Sequence, residues 1–226
     1  MKKQNTQLVE IPHDIEDKIE FLSEKYEIKN KKELLKVAFI VGRDEKNEKQ
    51  FFKLIRVGCF SRDNILNITH KYNASFAADS DVLYVLYNEN NHAIGHTNIT
   101  ITPAKTNDKR DLIYLDFINI NPEYRDKGNG TILLNIVLND IQDYEQINDV
   151  KTSTWATRLN SKRNNHFYKK FNSTEEKHIC DGTLTVINFN EKRLTPRNEI
   201  YVQDSISNKY ANYPPNNTRK NIERSL

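Results

Sequence analysis

Two hydrophobic patterns, an alternation typical of strands and a helical stripe, organise the middle of the chain. Two apolar runs separated by a polar turn predict a β-hairpin, and a third run predicts a strand that leads into an amphipathic helix at 132–141. Further strand signals follow this helix. The predicted strands are 82–87, 93–101, 112–120, 149–157 and a closing pair within 178–190.

The first 50 residues show a different pattern, and two interpretations remain open for them. A short strand at 8–11 precedes two predicted helices, the first starting near Pro12 and the second running from Asn30 to about Gly42. Strand, helix, turn and helix in this order resemble a ribbon-helix-helix module, a dimeric DNA-binding fold. The strand contains no arginine or lysine that could read bases, so we favour a helical cap packed near 51–57. The residues expected to be buried by this cap are Ile15, Ile19, Leu22, Leu35 and Ala38.

The C-terminal segment changes composition again. Proline, asparagine and serine are frequent after Glu191, so we expect a partly flexible tail. Part of it could attach to a surface through Ile200, Tyr201, Val202, Tyr210 and Tyr213. The predicted division of the chain is 1–50, 51–190 and 191–226.

Charge and cysteine content exclude several classes of protein. The chain has 226 residues, a net charge of +3 and 37% hydrophobic residues, which suits a folded core and gives no sign of massive nucleic-acid binding. Cys59 and Cys180 have no metal-binding spacing, and we predict no metal site. No apolar run approaches the roughly 20 residues of a membrane span, so we expect a cytoplasmic protein without membrane contact.

The segment from Arg125 to Thr131 carries the clearest chemical signal. It lies where a predicted strand leads into a helix N-terminus, at which backbone N–H groups are unpaired and the helix dipole is positive. Two of the chain's six glycines, Gly128 and Gly130, stand here two residues apart, and a glycine lets a phosphate approach the backbone closely. The pattern therefore predicts a cradle for a pyrophosphate.

The sequence Arg125-Asp-Lys-Gly128-Asn-Gly130 resembles the acetyl-CoA motif of the GCN5-related N-acetyltransferase (GNAT) family, Arg/Gln-x-x-Gly-x-Gly/Ala. A later run, from Phe167 to Phe171, resembles the second motif of the same family. Two departures accompany that run, because the usual Gly-Phe is missing after it and Asn160 lies one residue farther from the motif's tyrosine than usual. The resemblance covers roughly 52–190.

This resemblance implies a fold and a set of site residues. The implied fold is α+β, a mixed, mostly antiparallel twisted sheet flanked by helices, and the implied cofactor is acetyl-CoA. Tyr168 stands where the family places the acid that assists the departing thiolate, and Asp116 lies where related enzymes often carry a base. Glu89, His92 and His96 remain alternatives for the base. The implied cofactor-binding residues are Phe117, Ile118, Ile120, Arg125, Asp126, Lys127, Gly128, Asn129, Gly130, Thr131 and Asn160.

The implied activity is direct transfer of an acetyl group from acetyl-CoA to a primary amine. The acceptor stays open between a small amine, a protein N-terminus or lysine, and an aminoacyl-tRNA, and so does a homodimer. The alternative function is a non-catalytic regulatory protein that binds acetyl-CoA or DNA on the same fold, because a fold does not fix a function.

Overall fold

A computed structural model describes residues 15–43, 49–72, 82–104, 110–158, 167–168, 171, 173–179, 183–189 and 199–202. The helices are α1 (Ile15–Lys25), α2 (Arg62–Tyr72) and α3 (Asn129–Asn148), with short 3-10 turns at Lys31–Leu34 and Pro122–Tyr124. The strands are β1 (Leu35–Arg43), β2 (Lys49–Gly58), β3 (Val82–Asn88), β4 (Ala93–Thr102), β5 (Asp111–Ile120), β6 (Thr152–Arg158), β7 (Ser173–Ile179), β8 (Thr183–Phe189) and β9 (Glu199–Val202).

The described strands form one sheet in the order β7-β8-β6-β5-β4-β3-β2-β1-β9. Every described pair of neighbours is antiparallel except β5 and β6, which run parallel from Asp111↔Thr152 to Leu115↔Ala156. The parallel pair needs a crossover connection, and α3 supplies it. The predicted α+β class, with a mostly antiparallel sheet flanked by helices, is confirmed.

The second predicted N-terminal helix is wrong, because that segment forms β1. It pairs with β2 along its whole length, from Leu35↔Val57 to Arg43↔Lys49. Consecutive side chains such as Ala38, Phe39 and Ile40 are each about 1% exposed, so both faces of the strand are buried. A run that is apolar on both faces does not distinguish a helix from a buried strand, and the two-helix pattern of a ribbon-helix-helix module is not formed by 15–43.

The helical part of the N-terminal segment is α1 alone. Its Leu22 is fully buried, and the following Tyr26 is 5% exposed, so both join the main hydrophobic core. Ile15 and Ile19 are partly buried against the same core. The predicted strand at 8–11 lies outside the described residues.

The C-terminal segment closes the outer edge of β1. β9 pairs with it from Ala38↔Val202 to Val41↔Glu199, which confirms the predicted attachment for 200–202. Tyr210 and Tyr213 lie outside the described residues. β1 and β9 therefore continue the same sheet as β2 to β8. The domain boundaries at 50 and 190 stay predictions.

One face of the sheet packs on α3. Two buried polar contacts mark this face: Arg56 Nη1 donates to Asp140 Oδ2 of α3 at 3.1 Å, and Tyr144 Oη of α3 donates to Asp111 Oδ2 at 2.9 Å. Arg62 also donates to the fully buried Asp111 through Nε at 2.9 Å, and this hydrogen bond raises the pKa of Arg62. These contacts fix α3, and with it the position of the α3 N-terminus.

Neither α3 nor the other described helices has an apolar stretch that would cross a bilayer.

Candidate active site

β5 and β6 diverge halfway along the sheet. Their last pair is Leu115↔Ala156, whereas β5 continues to Ile120 and stays paired with β4 as far as Gly95↔Ile120. Residues 117–120 are therefore paired on one side only within the described strands. A strand edge of this kind can bind an extended, amide-bearing ligand as an added strand would bind.

The strand's alternation decides which backbone groups point into the gap beside β6. Asn121 N–H donates to Ile94 O at 2.9 Å, so the backbone of Asn121 faces β4, and Ile120 and Ile118 face the gap. The Thr97 hydroxyl donates to the Phe117 carbonyl, which is consistent with Phe117 also facing β4. The backbone groups placed for a ligand are thus the N–H and carbonyl of Ile118 and the N–H of Ile120, because the Ile120 carbonyl accepts a hydrogen bond from Arg125 Nε. The Phe117 backbone therefore faces β4 and not the gap, and its carbonyl already accepts a hydrogen bond. The predicted contact between Phe117 and the cofactor would have to be made by its side chain.

A β-bulge stands at the point of divergence. Asn98 pairs with Phe117 while Ile99 pairs with Leu115, so the partly buried Asp116 is the extra residue on β5. Bulges re-aim side chains, end pairing and are common beside active sites. Here the bulge places the predicted base at the mouth of the gap.

The predicted cradle follows directly. Asp126 and Gly128 both have left-handed backbones, with φ of 61° and 82°, and they turn the chain into α3. The first intrahelical bond runs from Ile132 N–H to Gly128 O at 3.0 Å, and no side chain of the described residues caps the helix. The N–H groups of the first turn therefore point at an open surface. A Cβ on Gly128 would meet nothing within 4 Å, so space for an anion exists there.

Asparagine side chains, two of which were not among the predicted site residues, fasten the cradle loop to the sheet and hold its shape. Asn121 Nδ2 donates to Ala93 O at 2.9 Å, and Asn129 Nδ2 donates to Tyr124 O at 2.9 Å. Asn88 Nδ2 donates to Tyr124 Oη at 3.3 Å. Asn129, predicted to contact the cofactor, thus uses its buried amide nitrogen to hold the loop, and its backbone N–H lies in the first turn of α3.

Two exposed cations border the cradle. Arg125 Nε donates to Ile120 O at 2.7 Å, so the guanidinium joins the cradle to the end of β5. Lys127 Nζ lies 5.7 Å from the centre of the Tyr124 ring, within cation–π distance. The exposed Asp126 carboxylate lies between them in the sequence and reduces the local positive charge. The anion site therefore depends on backbone N–H groups as much as on side-chain charge.

Tyr168 lies close to the cradle through its neighbour Phe167. A Cβ on Gly130 would come within 3.3 Å of the Phe167 ring, and the Phe167 and Tyr168 rings are 5.0 Å apart between centroids. Tyr168 is 7% exposed, and burial, with a smaller contribution from Tyr114, raises its pKa to about 12. Its phenol is therefore protonated at neutral pH. Asn160 lies outside the described residues.

The alternative bases occupy different places. His96 on β4 is 5% exposed, and burial lowers its pKa, so its imidazole is neutral at pH 7. Its ring packs edge-on against Phe117, 5.3 Å between centroids. Glu89 and His92 are exposed in the turn that connects β3 and β4. The structure thus brings Asp116 and His96 towards the gap, whereas Glu89 and His92 lie in a turn that borders the cradle loop.

Solved structures similar to this chain include several acetyltransferases. Arabidopsis thaliana Naa50, in complex with the bisubstrate analogue CoA-Ac-MVNAL, is 15% identical, with a TM-score of 0.40, and the match covers 60% of this chain and 97% of that one. A histone acetyltransferase HPA2 and related acetyltransferase from Corynebacterium glutamicum is 13% identical, with a TM-score of 0.38 and coverage of 58% and 74%. Ard1 from Thermoplasma volcanium is 13% identical, with a TM-score of 0.36 and coverage of 63% and 81%. No curated protein matches the chain.

The family model described as the acetyltransferase (GNAT) family matches residues 49–172. This range is more than half of the chain and runs from β2, through the single-sided end of β5 and the cradle, to the Tyr168 segment. The predicted resemblance, enzyme class and cofactor are confirmed. The chain belongs to the GNAT family, and it is an acetyltransferase that takes acetyl-CoA as its acetyl donor.

Proposed function

We propose that this enzyme transfers the acetyl group of acetyl-CoA directly to a primary amine, without an acetylated enzyme intermediate. The observation that carries the proposal is the continuity of the site: the single-sided end of β5 leads straight into the anion cradle at α3, with Tyr168 packed beside it. One extended donor can therefore lie along β5 with its diphosphate on the cradle and its thioester near the bulge.

The donor's contacts follow from this placement. The pantetheine amides hydrogen-bond to the backbone of Ile118 and Ile120, and the diphosphate binds the N–H groups of 128–131 with Arg125 beside them. Because the loop is fastened by hydrogen bonds to β3 and β4, little ordering is needed on binding.

The acceptor must approach as a neutral amine, so its ammonium form loses a proton to Asp116, directly or through a water molecule. The amine then attacks the thioester carbonyl, and the tetrahedral adduct expels the thiolate. The pKa of about 12 for Tyr168 exceeds the about 8.5 of an ordinary thiol, so complete proton transfer from this phenol is uphill. Tyr168 acts chiefly by donating a hydrogen bond to the departing sulfur.

Kinetics with two substrates test direct transfer. Initial rates across a panel of small amines, peptides and charged tRNAs should give intersecting double-reciprocal lines, and mass spectrometry after incubation with acetyl-CoA alone should show no acetylated enzyme. Parallel lines together with an acetylated residue would contradict direct transfer. Direct transfer needs no thiol nucleophile, so the control variants Cys59→Ser and Cys180→Ser should keep full activity.

Calorimetry tests the cradle itself. Gly128→Glu places a carboxylate where the diphosphate binds, so the affinity for acetyl-CoA should fall about 100-fold or more. Gly128→Gln introduces a side chain of the same size and the same backbone strain at φ 82°, but no charge. Its loss of affinity for acetyl-CoA should be much smaller than that of Gly128→Glu. Equal losses in both variants would mean that shape, not phosphate charge, matters at this position. An enzyme that binds acetyl-CoA but acetylates nothing on the panel would indicate a non-catalytic binding protein.

A further inference from the structure

The two faces of β4 and β5 have opposite chemical character. The face towards α3 carries buried isoleucines and leucines, among them Ile99, Ile113 and Leu115. The opposite face is polar and aromatic. Its side chains include His96, Asn98, Tyr114, Phe117 and Asn119. Because apolar side chains close the α3 face of the described residues, the partly exposed opposite face of β5 offers an acceptor the approach to the gap between β5 and β6.

Phe117 stands at the centre of that open face. It is 43% exposed, an unusual exposure for a large apolar side chain in the middle of a sheet. It directly follows the bulged Asp116 and pairs with Asn98. The exposed ring therefore lies next to a carboxylate, at the point where β5 and β6 separate.

The exposed ring is held in place on two sides. Its edge packs on the buried His96 ring at 5.3 Å, with the ring planes at 84°. The Phe117 carbonyl accepts the hydrogen bond of the Thr97 hydroxyl, which fixes the backbone beneath the ring. A rigid, partly exposed aromatic surface loses little conformational entropy when a ligand covers it, so it suits recognition.

We infer, on the basis of the proposed function, that Phe117 determines acceptor specificity and selects an α-amine whose neighbouring carbon carries a large apolar side chain. The donor uses backbone groups at the strand edge, in the plane of the sheet, whereas the Phe117 ring projects from the open face. Asp116 beside it attracts the ammonium group, and the ring covers the apolar side chain next to that group. An amino acid ester or a peptide that begins with leucine or phenylalanine has this arrangement.

The tripeptides Leu-Gly-Gly, Phe-Gly-Gly and Gly-Gly-Gly test the inference as acceptors. The wild-type kcat/KM for the first two should exceed that for Gly-Gly-Gly about tenfold. The free energy for a tenfold preference corresponds to about 55 Å² of apolar surface newly covered by the ring. Phe117→Ala should remove this preference, Phe117→Leu should keep part of it, and the Kd of acetyl-CoA should stay unchanged in both. Phe21→Ala is the matched control, because Phe21 is 40% exposed on α1, and it should keep the wild-type preference.

Three results would overturn the inference. A wild-type enzyme that shows no preference among the tripeptides, or that acetylates spermidine but none of them, excludes the substrate class while leaving amine acetylation intact. A Phe117→Ala variant that binds acetyl-CoA more weakly but keeps the preference assigns the ring to the donor. Failure of the wild-type enzyme to bind acetyl-CoA is a different outcome, because it refutes the proposed function from which the inference starts.

Discussion

Arg125 offers the sharpest test of how the cradle works, because it has two separable functions. Its Nε–H holds the Ile120 carbonyl at 2.7 Å, which joins the loop to the strand that would bind pantetheine. Its positive charge lies beside the expected diphosphate. Arg125→Lys keeps the charge but loses the planar fork of donors, and Arg125→Met loses both.

The magnitudes follow from these two contributions. A hydrogen bond from a charged donor contributes about 1.5–3 kcal/mol, and the exposed position of Arg125 favours the lower value. Arg125→Lys should therefore weaken acetyl-CoA binding about tenfold. Loss of the charge adds about 1 kcal/mol at a solvated distance of about 4 Å, so Arg125→Met should weaken binding about 50- to 100-fold. Lys127→Met removes a charge without removing a backbone contact, and should weaken acetyl-CoA binding about fivefold.

Calorimetric titration with acetyl-CoA at about 50 mM and about 300 mM salt separates the two effects, because salt screens the charge and leaves the short hydrogen bond largely intact. Arg125→Lys should show the wild-type salt dependence with a uniformly weaker affinity, and Arg125→Met should show a reduced dependence. A lysine variant that binds like the wild-type enzyme at both salt concentrations would refute the link through Ile120. An Arg125→Met variant that binds acetyl-CoA like the wild-type enzyme at both salt concentrations would refute the binding of the diphosphate at the cradle.

Three further predictions concern the acid, the N-terminal strand and the buried histidine. Tyr168→Phe keeps the buried ring and removes the hydroxyl, so single-turnover rates should fall about 10²-fold at an unchanged Kd for acetyl-CoA, and an unchanged rate rules this role out. Deleting 1–45 removes α1 and β1 and exposes the edge of β2, so soluble yield and melting temperature should fall. A truncated protein that melts like the full chain would contradict a sheet shared between β1 and β2. Burial lowers the pKa of His96, so the unfolded chain binds the extra proton first, and stability should fall below about pH 6.5 by at most about 1.4 kcal/mol per pH unit. Urea titrations should show this loss in the exposed control His92→Gln but not in His96→Gln, and identical pH profiles for the two would contradict it.

The sequence predicted the centre of the sheet almost residue by residue. The predicted strands 82–87, 93–101 and 112–120 correspond to β3, β4 and β5 within one residue at each end. Polar turn residues bound each of these runs, so local signals were sufficient. The cradle was also visible, because glycine spacing and the change from strand to helix are local features.

The N-terminal error has a tertiary cause. From Leu35 to Val41 the side chains are largely apolar, and those of Val37 to Val41 are buried on both faces of the strand. Within the sheet, β2 and β9 pair with the two edges of β1. Nothing within the segment reports those partners, one of which begins at Glu199. The contacts that fasten the cradle could not be predicted for the same reason, because their partners are distant in the sequence. Asn121 and Ala93 are 28 positions apart, and Asn88 and Tyr124 are 36 positions apart.

The bulge at Asp116 explains why the open face was hard to see in the sequence. Before the bulge, Ile113 and Leu115 face α3, and after it Ile118 and Ile120 do, so the alternation changes phase between them. With this shift included, every second residue of β5 faces away from α3 and most of them are polar or aromatic. β3 differs, because five consecutive side chains from Val82 are fully or almost fully buried. A strand covered on both faces leaves no room for a substrate, and β4 is likewise buried along most of its length. The face of β5 away from α3 is partly exposed, so among these three strands the contrast favours β5 for the proposed acceptor cleft, where Phe117 lies exposed.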